Sequence, residues 1–334
     1  MVRTSPWPGV IHDGQMNEDT GASPEPDSTA PTRFRIEAAD AGRVDVAVTR
    51  RFPRVGRRRI AALFAAGAVR VDGRKAKKGD RVGAGATIEI TQPLDDATDR
   101  AALPDPDAAA RLVVLYADDH MVVVSKPAGM PSHPLRAGEL GTAANGLVAR
   151  YPACAAIGDD PREAGLVHRL DGGTSGALVC ALDRATWERL RAAFTAGAVD
   201  KEYLALVEGR PVADGCEAPL TQAGSPGGSR AVVDGRGQPA STTWQIAEPL
   251  AHHTLLTCRA QTGRMHQVRA HLAHCGTPIA GDVLYGGAPI ADLAGFFLHA
   301  ASITLPQPTP GQRVEVRAPL PEDRAALLAR FRSA

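Results

Sequence analysis

The segment HRLDGGTSG, residues 168–176, constrains the fold of this chain more than any other. Apolar residues 165–167 precede it, and the apolar run LVCAL at 178–182 follows it and predicts a buried strand. The small, glycine-rich residues between these runs predict a tight turn at the mouth of a sheet. This turn carries one acid, Asp171, at a position in a sheet where functional sites commonly lie.

The acid of this turn is a candidate reactive group because it follows the bases His168 and Arg169 closely in the chain. A nearby cation favours the ionised form of a carboxylic acid. An ionised carboxylate that is held in place can act as a nucleophile or as a base. The alternative interpretation is a surface turn with a salt bridge, which is the more frequent case for an isolated HRLD segment.

Four segments in a fixed order resemble the RluA-type pseudouridine synthases. The HRLD segment is the second of them. The others are RLVVLYADDHMVVVSKPAGMPSHP (111–134), KEYLALVEG (201–209) and TGRMHQVRAHLAHCGTPIAGDVLYGG (262–287). The resemblance covers about residues 111–320 and implies an enzyme that converts uridine in RNA to pseudouridine.

The implied reaction detaches uracil from C1′ of its ribose, turns the base and rejoins it through C5. A target base must leave the helix stack before an enzyme can turn it. Because the reaction is an isomerisation, it requires no cofactor, and the chain has neither a P-loop nor a glycine-rich dinucleotide motif. We therefore expect neither a cofactor nor a metal.

The resemblance assigns the main roles in this reaction. Asp171 would be the nucleophile at C1′ or the base at C2′, and Tyr203 would stack on the flipped uracil and take part in the loss of the C5 proton. Arg264 would pair with the aspartate, since a guanidinium grips a carboxylate bidentately. Arg169 would enter the RNA and displace the base. The alternatives are a core aromatic for Tyr203 and ordinary ion pairs for both arginines.

Further residues of these motifs are expected to support the catalytic residues or to contact RNA. They are His168, Gln267 and Arg269. Lys126, in the KPAG turn, would either contact RNA or only solvate the turn. Gly172 departs from the family pattern, because a charged residue often follows the HRLD aspartate.

Residues 33–93 predict a small α/β module that resembles an S4 domain, which is an RNA-binding module. Its predicted elements are helices in 42–52 and 56–67, a hairpin in 69–76 and a strand at 85–90. Arg57, Arg58 and Arg59 open the second helix, where the helix dipole and the positive charges would both favour RNA phosphates. The alternative is a solvated basic face.

Charge is distributed unevenly along the chain. Residues 40–81 hold 13 Lys or Arg and four acidic residues, a net charge of +9, whereas the whole chain carries only +1. A basic module joined to a mildly acidic body indicates a polyanionic partner for that module.

The expected fold class is α+β: the S4-like module at 33–93 and, after it, a catalytic domain at 111–334 with a mainly antiparallel or mixed sheet. Residues 1–32 predict a disordered tail, and the acidic, proline-containing residues 94–110 predict a flexible linker. No run of 18 apolar residues and no apolar signal core occurs, so we expect a cytoplasmic protein without a membrane segment. The five cysteines form no CxxC pair and indicate reduced thiols.

Two other classes of protein remain possible from the sequence. His266, His271, His274 and Cys275 invite a zinc-hydrolase interpretation, although their spacing is not a common zinc pattern. A non-catalytic S4-type RNA-binding protein acting in ribosome assembly is the second. Within the implied family, a preceding S4 module favours large-subunit ribosomal RNA as substrate over transfer RNA. The sequence does not predict the target uridine or the oligomeric state.

Overall fold

The structure, a computed structural model, describes residues 31–52, 55, 57–94, 103–136, 138–225, 228–307 and 312–333. The chain forms two compact units, Met1–Asp96 and Ala97–Ala334. The predicted disordered tail lies outside the described residues except at its end, where Thr32 already begins a strand. No helix in the described ranges is long and apolar enough to cross a bilayer.

The first unit contains the helices and the hairpin that the sequence predicts. Its elements are β1 (Thr32–Arg35), β2 (Gly42–Arg43), α1 (Val44–Arg51), α2 (Arg57–Ala65), β3 (Val69–Val71), β4 (Arg74–Lys75), β5 (Arg81–Val82) and β6 (Thr87–Ile90). The main sheet has the order β1-β6-β3-β4 and is antiparallel. Both turn residues between β3 and β4, Asp72 and Gly73, have positive φ, as a two-residue hairpin requires. Val48, Leu63 and Ile88 are fully buried in its core.

The prediction of a flexible linker over residues 94–110 is wrong for its second half. Residues 103–110 belong to the second unit, and hydrogen bonds at Asp105 and Asp107 tie them to the rest of it. Asn145 Nδ2 donates to the carbonyl of Asp105 over 2.8 Å, and the N–H of Gly141 donates to Asp107 Oδ2 over 3.0 Å. The side chain of Asp107 thus accepts hydrogen bonds from the backbone N–H groups of Ala109 and Gly141, which composition alone does not show.

The second unit is built on one large mixed sheet. Its elements are β7 (Val113–Ala117), β8 (Met121–Lys126), α3 (Ala143–Arg150), β9 (Ser175–Ala181), α4 (Arg184–Thr195), β10 (Asp200–Glu208), β11 (Gly215–Glu217), β12 (Leu220–Ser225), β13 (Gly228–Val233), β14 (Ser241–Pro249), β15 (His253–Ala260), α5 (Gln267–His274), β16 (Leu298–Pro306), β17 (Arg313–Arg317) and α6 (Glu322–Arg332). The sheet order is β11-β14-β15-β10-β16-β9-β8-β7, with β17 paired to β16. Strands β12 and β13 form a separate hairpin. The predicted α+β class is confirmed.

The apolar run after the HRLD turn forms the centre of one core. All seven residues of β9 are buried, as expected for a strand covered on both faces. Helix α4 packs on this sheet through Trp187 and Leu190, and the indole N–H of Trp187 donates to the carbonyl of Leu166 over 3.1 Å. A second core lies under β10 and β15 and includes Leu206, Leu256 and Phe297.

One strand brings the HRLD turn and the tyrosine motif together. Ala300 of β16 pairs with Gly176 at the start of β9 in parallel, and with Tyr203 of β10 in antiparallel register. A Cβ on Gly176 would collide with the carbonyl of Ala300, and its φ of +116° also favours glycine. The glycine that ends the motif is therefore needed for this close strand pairing.

Candidate active site

The turn that carries Asp171 is held by two buried basic side chains. Lys126 Nζ donates to the carbonyl of Gly172 over 3.3 Å, and Arg324 Nη2 donates to the carbonyl of Gly173 over 3.1 Å. Both side chains are fully buried, and burial lowers the pKa of Lys126 to about 7. The carbonyl groups of the two residues after Asp171 are thus fixed, so two glycines do not leave this turn loose.

Asp171 is half-buried and is paired with an arginine of helix α5. Arg269 Nη1 donates to Asp171 Oδ2 over 2.9 Å. The same guanidinium donates to both oxygens of Asp282, from Nε over 2.7 Å and from Nη2 over 2.9 Å. Burial disfavours the charged guanidinium, but the hydrogen bonds and charges of Asp282 and Asp171 outweigh it and raise the pKa of Arg269. The result is a fixed carboxylate–guanidinium–carboxylate array.

Two aromatic rings enclose this guanidinium. The guanidinium carbon of Arg269 lies 4.1 Å from the ring centroid of Phe296 and 4.9 Å from that of Tyr285. Such cation–π contacts strengthen when they are desolvated, and Arg269 is almost completely buried. A Cβ on Gly173 would lie 2.7 Å from Phe296 Cε1, so the same ring also packs against the Asp171 turn.

His266 lies at the first residue before α5 and faces the same carboxylate. Its Nε2 is 3.8 Å from Asp171 Oδ1, and its Nδ1 shares a 3.1 Å hydrogen bond with the hydroxyl of Tyr285. Its φ is +53°, which is uncommon for a residue other than glycine and typical of functional sites. Burial lowers the pKa of His266, while the charge of Asp171 opposes this shift.

Tyr203 stands at an irregularity in strand β10. The register between β10 and β16 shifts between Glu202 and Tyr203, and such bulges re-aim side chains next to active sites. Burial, followed by the negative charge of Asp171, raises the pKa of Tyr203. The phenol therefore stays neutral beside the carboxylate, and it can donate or accept a hydrogen bond.

The arginine that contacts Asp171 is Arg269 and not Arg264, so the predicted pairing of Arg264 is wrong. Arg264 is exposed, and its Nε donates to the carbonyl of Pro239 over 3.1 Å. The reason is position: Arg264 precedes α5 in an open loop, whereas Arg269 lies within the helix on its buried side. The bidentate geometry that was expected for Arg264 is made by Arg269 with Asp282.

Three other predicted residues support the fold around the site. His168 Nε2 accepts a hydrogen bond from the N–H of Val179 over 3.1 Å, and burial lowers the pKa of His168 to about 3. Gln267 bonds the hydroxyls of Thr262 and Thr242, at 2.6 and 3.0 Å, and so holds the loop before α5. Lys126 matches neither of its interpretations, because it is buried under the turn and not in solvent.

The remaining predicted RNA contacts are Arg169 and three arginines of the first unit. Arg169 is exposed. Burial lowers the pKa of His266 most, and the positive charges of Arg269 and, to a smaller extent, Arg169 lower it further. In the first unit, Arg59 Nη2 donates to the carbonyl of Pro93 over 2.7 Å. The side chains of Arg57 and Arg58 lie outside the described part of the structure.

Sequence reasoning missed four residues of the site: Asp282, Tyr285, Phe296 and Arg324. A signal existed for Asp282 and Tyr285, which both lie in the GDVLYGG segment. Phe296 and Arg324 lie outside the four motifs, and they reach the site through tertiary packing.

The histidines that suggested zinc have other partners. His271 is fully buried, with Nδ1 2.9 Å from the hydroxyl of Thr242 and Nε2 3.0 Å from the carbonyl of Ala218. His266 faces Asp171 and Tyr285. Among the residues that the structure describes, no group of three or more His, Cys, Asp or Glu side chains is arranged to hold a metal ion.

Known proteins resemble this chain in sequence and in structure. The profile of the family described as RNA pseudouridylate synthase matches residues 120–274. The ribosomal large subunit pseudouridine synthase D of Xanthomonas campestris pv. campestris is 36% identical over 321 residues, 92% of this chain and 91% of that protein. The protein of the same name from Xylella fastidiosa is 35% identical over 309 residues, 89% of this chain and 91% of that protein.

Among solved structures, human RNA pseudouridylate synthase domain containing 4 has a TM-score of 0.52 and 23% identity, and the match covers 66% of this chain and 93% of that one. At this identity it shows a shared fold. The sequence relatives show more, and this chain belongs to the RNA pseudouridine synthase family. It is therefore an enzyme that isomerises uridine to pseudouridine in RNA.

Proposed function

We propose that this enzyme modifies specific uridines of large-subunit ribosomal RNA in the cytoplasm. Support for this substrate comes from the relatives named for the large ribosomal subunit, which match about nine tenths of the chain at 35–36% identity. The net charge of +9 in residues 40–81 supports a large polyanionic partner. We further propose that the first unit is an S4-like RNA-binding domain.

Asp171 is the proposed catalytic group, acting as the nucleophile at C1′ or as the base at C2′. The observation that carries this role is its 2.9 Å ion pair with Arg269, whose guanidinium is itself fixed by Asp282. A held carboxylate loses little freedom when it reacts, which is how positioned groups lower a barrier. Tyr203, a neutral phenol close to this carboxylate, is proposed to stack on the flipped uracil and to assist the loss of the C5 proton.

Tritium release from RNA labelled with [5-³H]uridine tests the proposal, because forming the C5–C1′ bond expels the C5 hydrogen. Wild-type protein is expected to release tritium from unmodified large-subunit ribosomal RNA. Asp171→Asn, which keeps the shape but not the charge, is expected to lower the rate by about 1,000-fold or more. RNA binding by this variant should remain, which separates lost chemistry from lost affinity.

The second RNA in the same assay is bulk transfer RNA without modification. Tritium release from transfer RNA alone would support the reaction but contradict the proposal that ribosomal RNA is the substrate. Equal release by wild-type protein and Asp171→Asn would remove Asp171 from the reaction. RNA binding with no release from either RNA would favour the assembly-factor alternative.

A further inference from the structure

An open cavity lies beside the active site, at the base of the hairpin formed by β12 and β13. Its volume is about 470 Å³, within the usual size range of small-ligand pockets. The loop before α5 forms one wall and the loop after β13 forms another. Neither wall belongs to the array around Asp171.

The floor of this cavity is apolar and its rim is polar. Leu220 and Ala231 are buried, and the half-buried Met265 accepts a 3.5 Å contact from Gln222 Nε2 that fixes its sulfur. The rim carries the exposed side chains of Gln238 and Arg264. Apolar side chains edged by polar groups are complementary to a nucleobase, which has apolar faces and polar edges.

The rim groups have hydrogen-bonding capacity left over. Arg264 is anchored by its Nε on the carbonyl of Pro239 and by its backbone N–H on Gln267 Oε1 at 3.0 Å. Within the described residues, its two terminal nitrogens and the side-chain amide of Gln238 make no hydrogen bond. Arginine and glutamine are side chains that bind purine edges bidentately, guanine and adenine respectively.

The cavity is joined directly to the catalytic carboxylate. Arg264 and Met265 immediately precede His266, which lies 3.8 Å from Asp171, and two residues of chain span at most about 7 Å. The hydroxyl of Tyr285 accepts from the N–H of Ala231 over 2.8 Å and also bonds His266. Tyr285 therefore links Ala231, which lines the cavity, to His266, which faces the carboxylate of Asp171.

We infer that this cavity binds a purine base of the RNA that neighbours the target uridine, read by Gln238 and Arg264. This inference rests on the proposed function for its ligand class, RNA, and adds a recognition site to it. Two bases displaced side by side would then be held at once, one over Asp171 and the other in the cavity. Because Met265 and His266 are consecutive, seating the second base also fixes the loop that faces the carboxylate.

Selection by binding tests this inference without requiring catalysis. The full-length protein is incubated with a pool of RNA hairpins whose loop carries a central uridine and randomised neighbours, and the bound RNA is sequenced. Wild-type protein is expected to enrich purines at one fixed loop position by at least about fivefold. Gln238→Ala and Arg264→Ala are each expected to lose most of this enrichment while still binding RNA.

The matched control is Arg313→Ala, which removes an exposed arginine that pairs with Asp200 and does not line the cavity. It should keep the wild-type enrichment. The inference is overturned if wild-type protein shows no preferred position, or if the two cavity variants enrich the same bases as wild-type protein. Tritium release is measured separately, so purine enrichment without pseudouridine formation would contradict the proposed function and leave the cavity assignment intact.

Discussion

At the scale of single residues, the site depends on which arginine meets Asp171. Arg269→Lys is expected to lower the rate of tritium release by about 100-fold or more, because lysine cannot hold Asp171 and Asp282 in one planar fork. Arg313→Lys, at an exposed arginine that pairs with Asp200 and not with Asp171, is the matched control, and its rate at saturating RNA should stay within about threefold of wild type. The comparison uses single-turnover kinetics, and an equal loss in both variants would contradict the assignment.

The half-buried histidine of the HRLD motif, His168, gives a pH prediction at the same scale. The pKa of His168 is about 3 in the folded protein and about 6.5 in the unfolded chain. Between these values the unfolded chain binds the proton, so stability from this group is present above pH 6.5 and is lost as pH falls toward 3.

His168→Gln keeps an acceptor for the N–H of Val179 but does not titrate. Between pH 7 and pH 4.5 the wild-type protein is expected to lose about 1–2 kcal/mol more unfolding free energy than this variant, less than the full shift implies because the ring is only half-buried. Urea unfolding at both pH values measures the difference. Equal losses would show that His168 does not carry this pH dependence.

At the scale of elements, the turn after Asp171 contains two adjacent glycines, of which Gly173 is closely packed and Gly172 is not. A Cβ on Gly173 would lie 2.7 Å from Phe296 Cε1, whereas a Cβ on Gly172 meets nothing within 4 Å. Gly173→Ala is expected to destabilise the protein by about 1–3 kcal/mol, and to slow the reaction by displacing Phe296 from Arg269.

Gly172→Ala serves as the control for this change and should stay within about 0.5 kcal/mol of wild type. Chemical unfolding and tritium release are both measured. If the two alanine variants behave alike, the contact between the turn and Phe296 does not position the site. The comparison also tests whether a residue with a side chain can replace Gly172, the position at which this chain departs from the family pattern.

At the scale of the whole molecule, the proposed RNA-binding unit is expected to supply much of the affinity. Deleting Met1–Asp96 removes the cluster with a net charge of +9. RNA affinity should fall, and the slope of its logarithm against the logarithm of salt concentration should become shallower, because fewer phosphates are neutralised. Single-turnover chemistry at high RNA concentration should persist in the remaining unit.

Filter binding across a salt series measures the affinity and the slope. The control is a triple variant in which Arg57, Arg58 and Arg59 become Gln, which keeps the unit but removes three charges. An unchanged slope after the deletion would overturn the RNA-binding role of this unit. A reduced slope in the deletion but not in the triple variant would place the phosphate contacts elsewhere in the unit.

The amino-acid sequence by itself predicted the reaction, through the resemblance of its four motifs to a family, and it placed Asp171 on a turn before a buried strand. The HRLD turn, the apolar strand after it and the order of the four motifs are local patterns, and local patterns fix turns, strands and family. Only the tertiary structure decided that Arg269 pairs with Asp171, that Lys126 is buried, and that Phe296 and Arg324 support the turn. These contacts join residues up to 151 positions apart, as for Arg324 and Gly173. The sheet register that brings them together depends on several distant strands at once, so no single segment of the sequence predicts it.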